Sequence, residues 1–350
     1  MKVGIIGLRM GKAHLLGYLQ NLNTEVYGIC DIDENTLQNV KKEFNIPFAT
    51  TDYRELLKIK EIEIVSVATP DYFHKEHSVE ALLSNKHVLC EKPLALNLED
   101  CIEIIKAVRQ SGKKFMVGQV CRFAPGFVLT KEIIDSGEIG ELFFVESEYA
   151  HDYRVAEGVG KWRKDKRREP FIGGGCHAVD LLRWIASDPI EVFAYSNHKC
   201  LPDWPVNDAT IAVYKFENEI MGKIFCSIGC IRPYTMRSVF YGTKGTIISD
   251  NTSDHILLCS TKYFKKKSDY NFAKIPVSIS SHNVSAEINY FVEKIMKNED
   301  IEMDEIEGTK TVASCLGAVI SAKEGRKVDI KNELFSRFIN FEKGRENGNS

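Results

Sequence analysis

Residues 2–11 read KVGIIGLRMG, a short apolar run that ends at a glycine and continues into a helical pattern. Such a run is typical of a buried parallel strand followed by a tight turn and a helix. Because backbone N–H groups at the start of a helix bind pyrophosphate, the turn is a predicted dinucleotide site. Its predicted cofactor-binding residues are Gly7, Leu8, Arg9, Met10 and Gly11.

The turn departs from the usual G-x-G-x-x-G fingerprint at Arg9. This arginine stands where the middle glycine is expected, and the motif is one residue shorter. A guanidinium at this position can contact phosphate, which favours binding. A turn that no longer binds nucleotide is the alternative interpretation.

Asp31 ends the second predicted strand, 20 residues after Gly11. A carboxylate at this place can accept hydrogen bonds from the ribose hydroxyls of adenosine. Its charge would repel a 2′-phosphate, so NAD is the predicted cofactor and NADP is disfavoured. The alternative is that Asp31 only caps the following turn or helix.

Two sequence patterns divide the chain. Strands and helices alternate along the first part, which predicts a Rossmann fold, a doubly wound parallel sheet with helices on both faces. From Glu141 onward several strands predict a large, mostly antiparallel sheet, with one helix inserted at 180–186. The predicted fold class is α/β, with a Rossmann domain at 1–121, a second α/β domain for substrate and oligomerisation at 122–330, and a polar tail at 331–350.

The composition is that of an ordinary globular protein. The 350 residues carry a formal net charge of −3, which gives no electrostatic reason to expect nucleic acid or an anionic membrane as a partner. No apolar run approaches the roughly 20 residues of a membrane span. Ten cysteines are scattered without metal-type spacing, so we expect free thiols, no metal site and a cytoplasmic location.

The run Cys90-Glu91-Lys92-Pro93 ends the fourth predicted strand. The carboxyl ends of parallel strands face the cofactor crevice, so a lysine there can meet the hydroxyl group of a bound substrate. The alternative is a solvated lysine in front of a helix. Other residues predicted at this edge as cofactor contacts are Thr69, Pro70, His74 and Glu91, with Lys92 itself.

His177 follows three glycines, residues 173–175, which allow the chain to approach another group closely. A neutral imidazole can take a hydroxyl proton near neutral pH. Asp180 lies three residues further and shares a helix face with His177. A packed histidine at a helix start is the alternative interpretation.

Together these motifs resemble the Gfo/Idh/MocA oxidoreductases over roughly residues 1–330. The resemblance rests on five segments: the Gly7–Gly11 turn with His14, Ala68-Thr69-Pro70, Glu91-Lys92-Pro93, Gly173–Asp180, and Tyr241–Gly245. It implies an NAD-dependent dehydrogenase of a sugar, polyol or sugar derivative, with Lys92 and His177 as the catalytic pair. The predicted substrate-binding residues are Lys92, Arg122, Tyr153, Trp162, Arg163, His177 and Asp180.

One position departs from the family pattern. Many members carry an aspartate four residues before the histidine, where this chain has Gly173. The carboxylate that would orient the imidazole is therefore missing, and Asp180 is the expected partial substitute.

Two other functions stay open. One is an enzyme that keeps NAD bound and recycles it during elimination or glycosidic cleavage, and the other is a non-catalytic sensor of NAD and a sugar. A proton relay of Lys92 and His177 argues against the sensor. In every case we expect a homodimer or homotetramer, because the second predicted sheet has two apolar faces and few helices to cover them.

Overall fold

The computed structural model of the chain describes residues 1–154, 160–264, 266–279 and 282–341. The chain divides into two compact units. The first consists of Met1–Val120 and Asn283–Val312, and the second of Cys121–His282 and Ala313–Ser350.

The first unit, which is described throughout, is built on a parallel sheet of six strands in the order β3-β2-β1-β4-β5-β6. This order reverses direction between β1 and β4, which is the switch point where doubly wound sheets bind their ligands. The strands are β1 Lys2–Ile6, β2 Glu25–Cys30, β3 Phe48–Thr50, β4 Ile62–Val67, β5 His87–Glu91 and β6 Phe115–Gly118. The helices are Gly11–Gln20, Glu34–Phe44, Tyr53–Leu57, His74–Leu83, Leu98–Ser111 and Val284–Lys297.

Residues 283–312 pack within the first unit, which corrects their expected place in a domain spanning 122–330. Asn21 donates a 2.7 Å hydrogen bond to Asn289. The Val117 N–H donates a 2.8 Å hydrogen bond to the Met303 carbonyl, so the returning chain covers the edge of β6. This return depends on contacts distant in sequence, which a local pattern does not reveal.

Within its described residues, the second unit is built on a sheet of nine strands in the order β14-β13-β12-β11-β7-β10-β9-β8-β15. Its neighbouring strands are antiparallel except β7 and β10. The strands are β7 Leu142–Ala150, β8 Pro189–Asn197, β9 Ala209–Phe216, β10 Met221–Ser227, β11 Arg237–Gly242, β12 Gly245–Asp250, β13 His255–Ser260, β14 Ala273–Pro276 and β15 Val328–Asp329. The helices are Pro125–Asp135, Gly160–Arg163, Pro170–Gly173, Cys176–Ala186 and Ile330–Glu333, with Glu305–Glu324 beginning in the first unit.

The end of the chain differs from the expected tail at 331–350. A helix at Ile330–Glu333 follows β15, and Leu334, Phe335 and Phe338 are buried. Their apolar side chains anchor a segment whose composition is otherwise polar. The frayed end expected at 342–350 and Lys265 of the basic run lie outside the described residues.

The state of the cysteines and the character of the helices can be compared with the predictions from composition. None of the ten cysteines forms a disulfide, and most of them are buried. Within the described ranges, none of the helices has the length and apolar character needed to cross a bilayer.

Candidate active site

The glycine turn after β1 has the close backbone geometry that a dinucleotide requires. Gly7 has φ of +87°, and a Cβ there would lie 2.7 Å from the Ala68 carbonyl oxygen. Only glycine fits such a conformation and approach without strain. The helix that follows begins at Gly11, and the side chain of its N-cap residue, Met10, makes no capping hydrogen bond. Its first N–H groups are therefore suited to a pyrophosphate.

Asp31 holds this turn from the end of β2. Its Oδ2 accepts a 2.7 Å hydrogen bond from the Leu8 N–H, and its Oδ1 accepts one of 2.9 Å from the Asp33 N–H. A carboxylate offers about four lone-pair directions, so Asp31 can still accept from ribose hydroxyls. The exposed Arg9 lies in the same turn. These residues fit NAD, which supplies the hydride acceptor when it is bound.

His74 joins the two strand-end loops predicted at the nicotinamide side. Its Nδ1 lies 2.7 Å from the Pro93 carbonyl oxygen, and its Nε2 lies 2.9 Å from the Thr69 carbonyl oxygen. Because both oxygens are acceptors, both ring nitrogens carry a hydrogen. Burial alone would lower the pKa of His74, but Cys90, Asp71 and the Pro93 carbonyl raise it to about 9. His74 therefore fixes Thr69-Pro70 against Lys92-Pro93 from a buried position.

Glu91 turns inward from the end of β5. Its Oε1 accepts a 3.0 Å hydrogen bond from His14 Nε2, and its Oε2 accepts one of 3.2 Å from the Lys92 N–H. Burial alone would raise the pKa of Glu91, but the hydrogen bond and charge of His14 and the charges of Lys92 and His74 lower it. The carboxylate thus positions the backbone of Lys92. His14 in turn lies 3.2 Å from Ser66 Oγ, so the network reaches β4.

Glu287 is another buried carboxyl group of the first unit. It lies in the first turn of the helix Val284–Lys297 and is fully buried. Neither carboxyl oxygen has a hydrogen-bond partner among the described residues. Burial, and then the charge of Glu91, raise the pKa of Glu287 well above its ordinary value. Glu287 therefore keeps its proton to a higher pH than an exposed glutamate does.

Lys92 is half-buried at the carboxyl end of β5, and its peptide bond to Pro93 is cis. The first unit thus brings together the glycine turn, Asp31, the Thr69-Pro70 loop and the Glu91-Lys92 pair at the carboxyl ends of its strands.

His177 begins the helix Cys176–Ala186 of the second unit and is buried. Its ring stacks on Tyr149 of β7, with 5.9 Å between centroids. A Cβ at Gly174 would lie 2.5 Å from Tyr149 Cε1 and 3.0 Å from the Tyr153 hydroxyl. The glycine run before His177 therefore allows these tyrosines to pack against the chain.

Hydroxyl and imidazole groups surround this histidine. The Tyr149 and Tyr153 hydroxyls lie 2.9 Å apart, and His151 Nε2 lies 3.0 Å from the Tyr149 hydroxyl. Burial, followed by the neighbouring tyrosines, raises the pKa of Tyr149 well above its ordinary value. This phenol therefore stays protonated and can orient a hydroxylated ligand, but it cannot serve as a base near neutral pH.

Three of the predicted substrate contacts lie together. The Arg163 guanidinium carbon lies 4.3 Å from the Tyr153 ring centroid and 5.0 Å from that of Trp162. Such stacking holds a planar donor group in place.

Arg122 and Asp180, two of the predicted substrate contacts, are paired with each other. Arg122 Nε and Nη2 donate hydrogen bonds of 2.9 and 2.8 Å to the Asp180 carboxylate, and both side chains are almost fully buried. The pair is bidentate and links two segments of the second unit. Their contact with substrate, and Asp180 as a partial substitute for the carboxylate missing at Gly173, stay predictions.

Sequence reasoning missed several neighbours of His177. Cys121, Tyr149, Tyr234 and His282 all lie near its ring or near one another. The alternation of β7 could have placed Tyr149 on the buried side of the sheet. The others come from distant segments and carry no local signal.

The comparisons with known proteins agree with this geometry. Residues 1–119 match the model of the oxidoreductase family with an NAD-binding Rossmann fold, and residues 127–248 match the Gfo/Idh/MocA C-terminal domain. The chain belongs to the Gfo/Idh/MocA family of NAD-binding oxidoreductases. The predicted family, fold class and cofactor are confirmed.

Its relatives extend along nearly the whole chain. The oxidoreductase YrbE of Bacillus subtilis is 28% identical and covers 94% of this chain and 96% of its own length. Myo-inositol 2-dehydrogenase of Thermotoga maritima is 25% identical, with coverages of 95% and 100%. Levoglucosan dehydrogenase, solved with NADH and levoglucosan, superposes with a TM-score of 0.86 at 21% identity, with coverages of 94% and 98%.

Proposed function

We propose that the protein is an NAD-dependent dehydrogenase that oxidises a secondary hydroxyl group of a sugar, polyol or sugar derivative. The observation that carries the proposal is His177, buried among tyrosine hydroxyls in a chain whose family binds NAD. The names of the relatives, which include an inositol dehydrogenase and a levoglucosan dehydrogenase, support a polyhydroxylated substrate.

The chemistry assigns a role to each residue. The C–H bond of the alcohol breaks and its hydride goes to the nicotinamide, while the O–H proton goes to a protein base. His177 is the proposed base. The positive charge of Lys92 is proposed to stabilise the developing alkoxide. The reaction requires both to act on one substrate. Tyr153, Trp162 and Arg163 are proposed to orient the substrate hydroxyls.

A substrate panel tests the proposal. Polyols, sugars and sugar acids are incubated with the protein and NAD, and NADH absorbance is followed after a thermal-shift screen. We expect NADH from at least one compound. A compound that is consumed with NAD required but without net NADH would indicate NAD recycling, and ligand binding without turnover of any compound would indicate a sensor.

Variants test the two catalytic residues. General acid–base assistance contributes roughly 10²–10⁴-fold in rate, so Lys92→Ala and His177→Ala should each lower kcat by about that factor and leave NAD affinity unchanged. The double variant should lose much less than the product, because the two residues act as a unit. The controls are Lys106→Ala, at an exposed lysine of the first unit, and His255→Ala, at a histidine of β13. Full turnover in either catalytic variant would remove that residue from the mechanism.

The proposed assembly is a homodimer or homotetramer in the cytoplasm. The assembly is supported by exposed apolar side chains on the second sheet, among them Tyr195, Ile211 and Val213. The location is supported by the ten cysteines, none of which forms a disulfide.

A further inference from the structure

His177 has a sulfur atom within hydrogen-bond distance of its ring. Cys121 Sγ lies 3.3 Å from His177 Nδ1. The two side chains are 1% and 4% exposed, so solvent competes little for this contact. Cys121 therefore occupies the side of the imidazole that is remote from Nε2.

A second contact fixes the direction of the hydrogen bond. Cys121 Sγ also lies 3.5 Å from Met236 Sδ, and the Tyr234 hydroxyl lies 3.0 Å from that same thioether. A thioether carries no hydrogen, so the Cys121 S–H must point to Met236 if that contact is a hydrogen bond. The Cys121 sulfur then accepts from His177, whose Nδ1 must carry the hydrogen. This assignment satisfies both of these contacts.

We propose that Cys121 is a positioning residue that accepts the Nδ1 hydrogen of His177 and so holds the lone pair of the imidazole at Nε2. This assignment deepens the proposed function and rests on it for the role of His177 as a base. It explains how a chain with Gly173 in place of the aspartate still fixes the tautomer. A thiol carries no charge, so the pair orients the imidazole but stabilises the imidazolium less than a carboxylate would.

The tautomer can be measured without substrate. The ¹⁵N chemical shifts of the labelled protein distinguish an imidazole protonated at Nδ1 from one protonated at Nε2, and His177→Gln identifies the signals of His177. We expect the Nδ1–H tautomer in the wild type and in Cys121→Ser, whose hydroxyl is also an acceptor. Cys121→Ala should lose this preference. An Nε2–H tautomer in the wild type would overturn the proposal, whether or not any variant folds.

Kinetics supply the second readout. A hydrogen bond of this kind contributes about 1 kcal/mol, so Cys121→Ala should lower kcat about five- to tenfold with NAD affinity unchanged, and Cys121→Ser should restore most of it. Cys121→Asp should shift the acidic limb of the pH–kcat profile to higher pH, because the imidazolium gains a carboxylate partner. The other groups that face His177, Tyr149 and His282, are unchanged in every variant.

Cys226→Ala is the matched control, since Cys226 is also a buried thiol of the second unit and its Sγ contacts the Pro170 carbonyl. It should leave the tautomer and the pH profile unchanged. Wild-type kcat in Cys121→Ala together with an unchanged tautomer would refute the positioning role. The expected tautomer without turnover of any substrate would instead refute the proposed function and leave the Cys121–His177 contact standing.

Discussion

At the scale of single residues, two buried side chains of the first unit, His74 and Glu287, have raised pKa values. His74 carries a hydrogen on both ring nitrogens because each faces a carbonyl oxygen. Glu287 is neutral because nothing among the described residues compensates its charge. The charge of His74 lowers the pKa of Glu91, and the charge of Glu91 raises the pKa of Glu287. Their protonation therefore makes the stability of the first unit depend on pH.

His74 should stabilise the fold most at low pH. Its pKa is about 9 in the folded chain and roughly 6.5 when unfolded, so its contribution is fully present below the unfolded pKa. It is lost as pH rises through the folded pKa, and the loss is on the order of 3 kcal/mol. Between pH 6.5 and 9, we expect the free energy of unfolding, measured by urea denaturation, to decrease less in His74→Gln than in the wild type.

The comparison with the variant is needed because several buried cysteines with raised pKa values also destabilise the fold at alkaline pH. They are present in both proteins and cancel in the difference. His77, with a pKa lowered to about 4, titrates below this window. Parallel stability curves of wild type and His74→Gln would refute the doubly protonated state.

Glu287 should lower stability in the same direction, as pH rises, but from a lower pH. Its folded pKa is raised above the unfolded value, so the folded chain keeps a proton that the unfolded chain releases, and stability falls as pH rises above the unfolded pKa. Glu287→Gln keeps the shape and removes this penalty. We expect the variant to gain stability over the wild type as pH is raised from roughly 4.5, as measured by urea unfolding at several pH values. A constant difference across that range would contradict a neutral buried acid.

At the scale of elements, cofactor choice belongs to the β1 turn and the end of β2 together. Asp31 accepts a hydrogen bond from the Leu8 N–H, and we propose that its charge also faces the ribose of the bound cofactor. Its removal therefore changes selectivity and weakens the turn at the same time.

Asp31→Ser separates these effects through the ratio of affinities. We expect NAD to bind more weakly and the NAD-to-NADP affinity ratio to fall about tenfold, since one unfavourable charge contact of about 1.4 kcal/mol is removed. Titration calorimetry with both dinucleotides gives the ratio. Asp33→Ser is the control, because Asp33 caps the next helix through the Thr36 N–H and should leave the ratio unchanged. Equal ratios in wild type and Asp31→Ser would show that Asp31 does not select the cofactor.

At the scale of the whole molecule, one side of the second sheet exposes apolar side chains. In β8 and β9, Tyr195 is 68% exposed, Val213 is 51% exposed and Ile211 is 41% exposed. The residues that alternate with them, such as Ala212 and Tyr214, are buried. A patch of this kind is typical of an interface between subunits.

Light scattering tests the assembly. We expect a dimer or tetramer at micromolar concentration, and a shift to lower mass for the double variant Ile211→Lys and Val213→Lys, which places two charges in the patch. Leu22→Lys is the control, at a fully exposed leucine of the first unit. A monomeric wild type at that concentration would rule out the proposed oligomer.

Sequence patterns predicted what is local and apolar, and they failed where contacts are distant. The strands β1, β2, β4, β5 and β6 follow from continuous apolar runs, and Gly7 follows from its place after β1. The sequence patterns did not predict β3, which has only three residues. They also did not predict β13 and β14, which follow polar turns. Lys92 and His177 could be selected from their motifs. The Arg122–Asp180 and Cys121–His177 contacts could not, because each joins segments more than 50 positions apart.

The return of residues 283–312 to the first unit has a consequence for the order of synthesis. The ribosome makes β1 to β6 first. The segment 283–312, which contributes the buried Ile288 and Phe291 and bonds to the Val117 N–H, is made only after residues 121–282 of the second unit. Until then the nascent dinucleotide-binding segment exposes an apolar helix face and an unpaired strand edge, which is the kind of surface that chaperones bind. The first unit is therefore completed late in synthesis, and a fragment that stops at residue 120 lacks part of its own core.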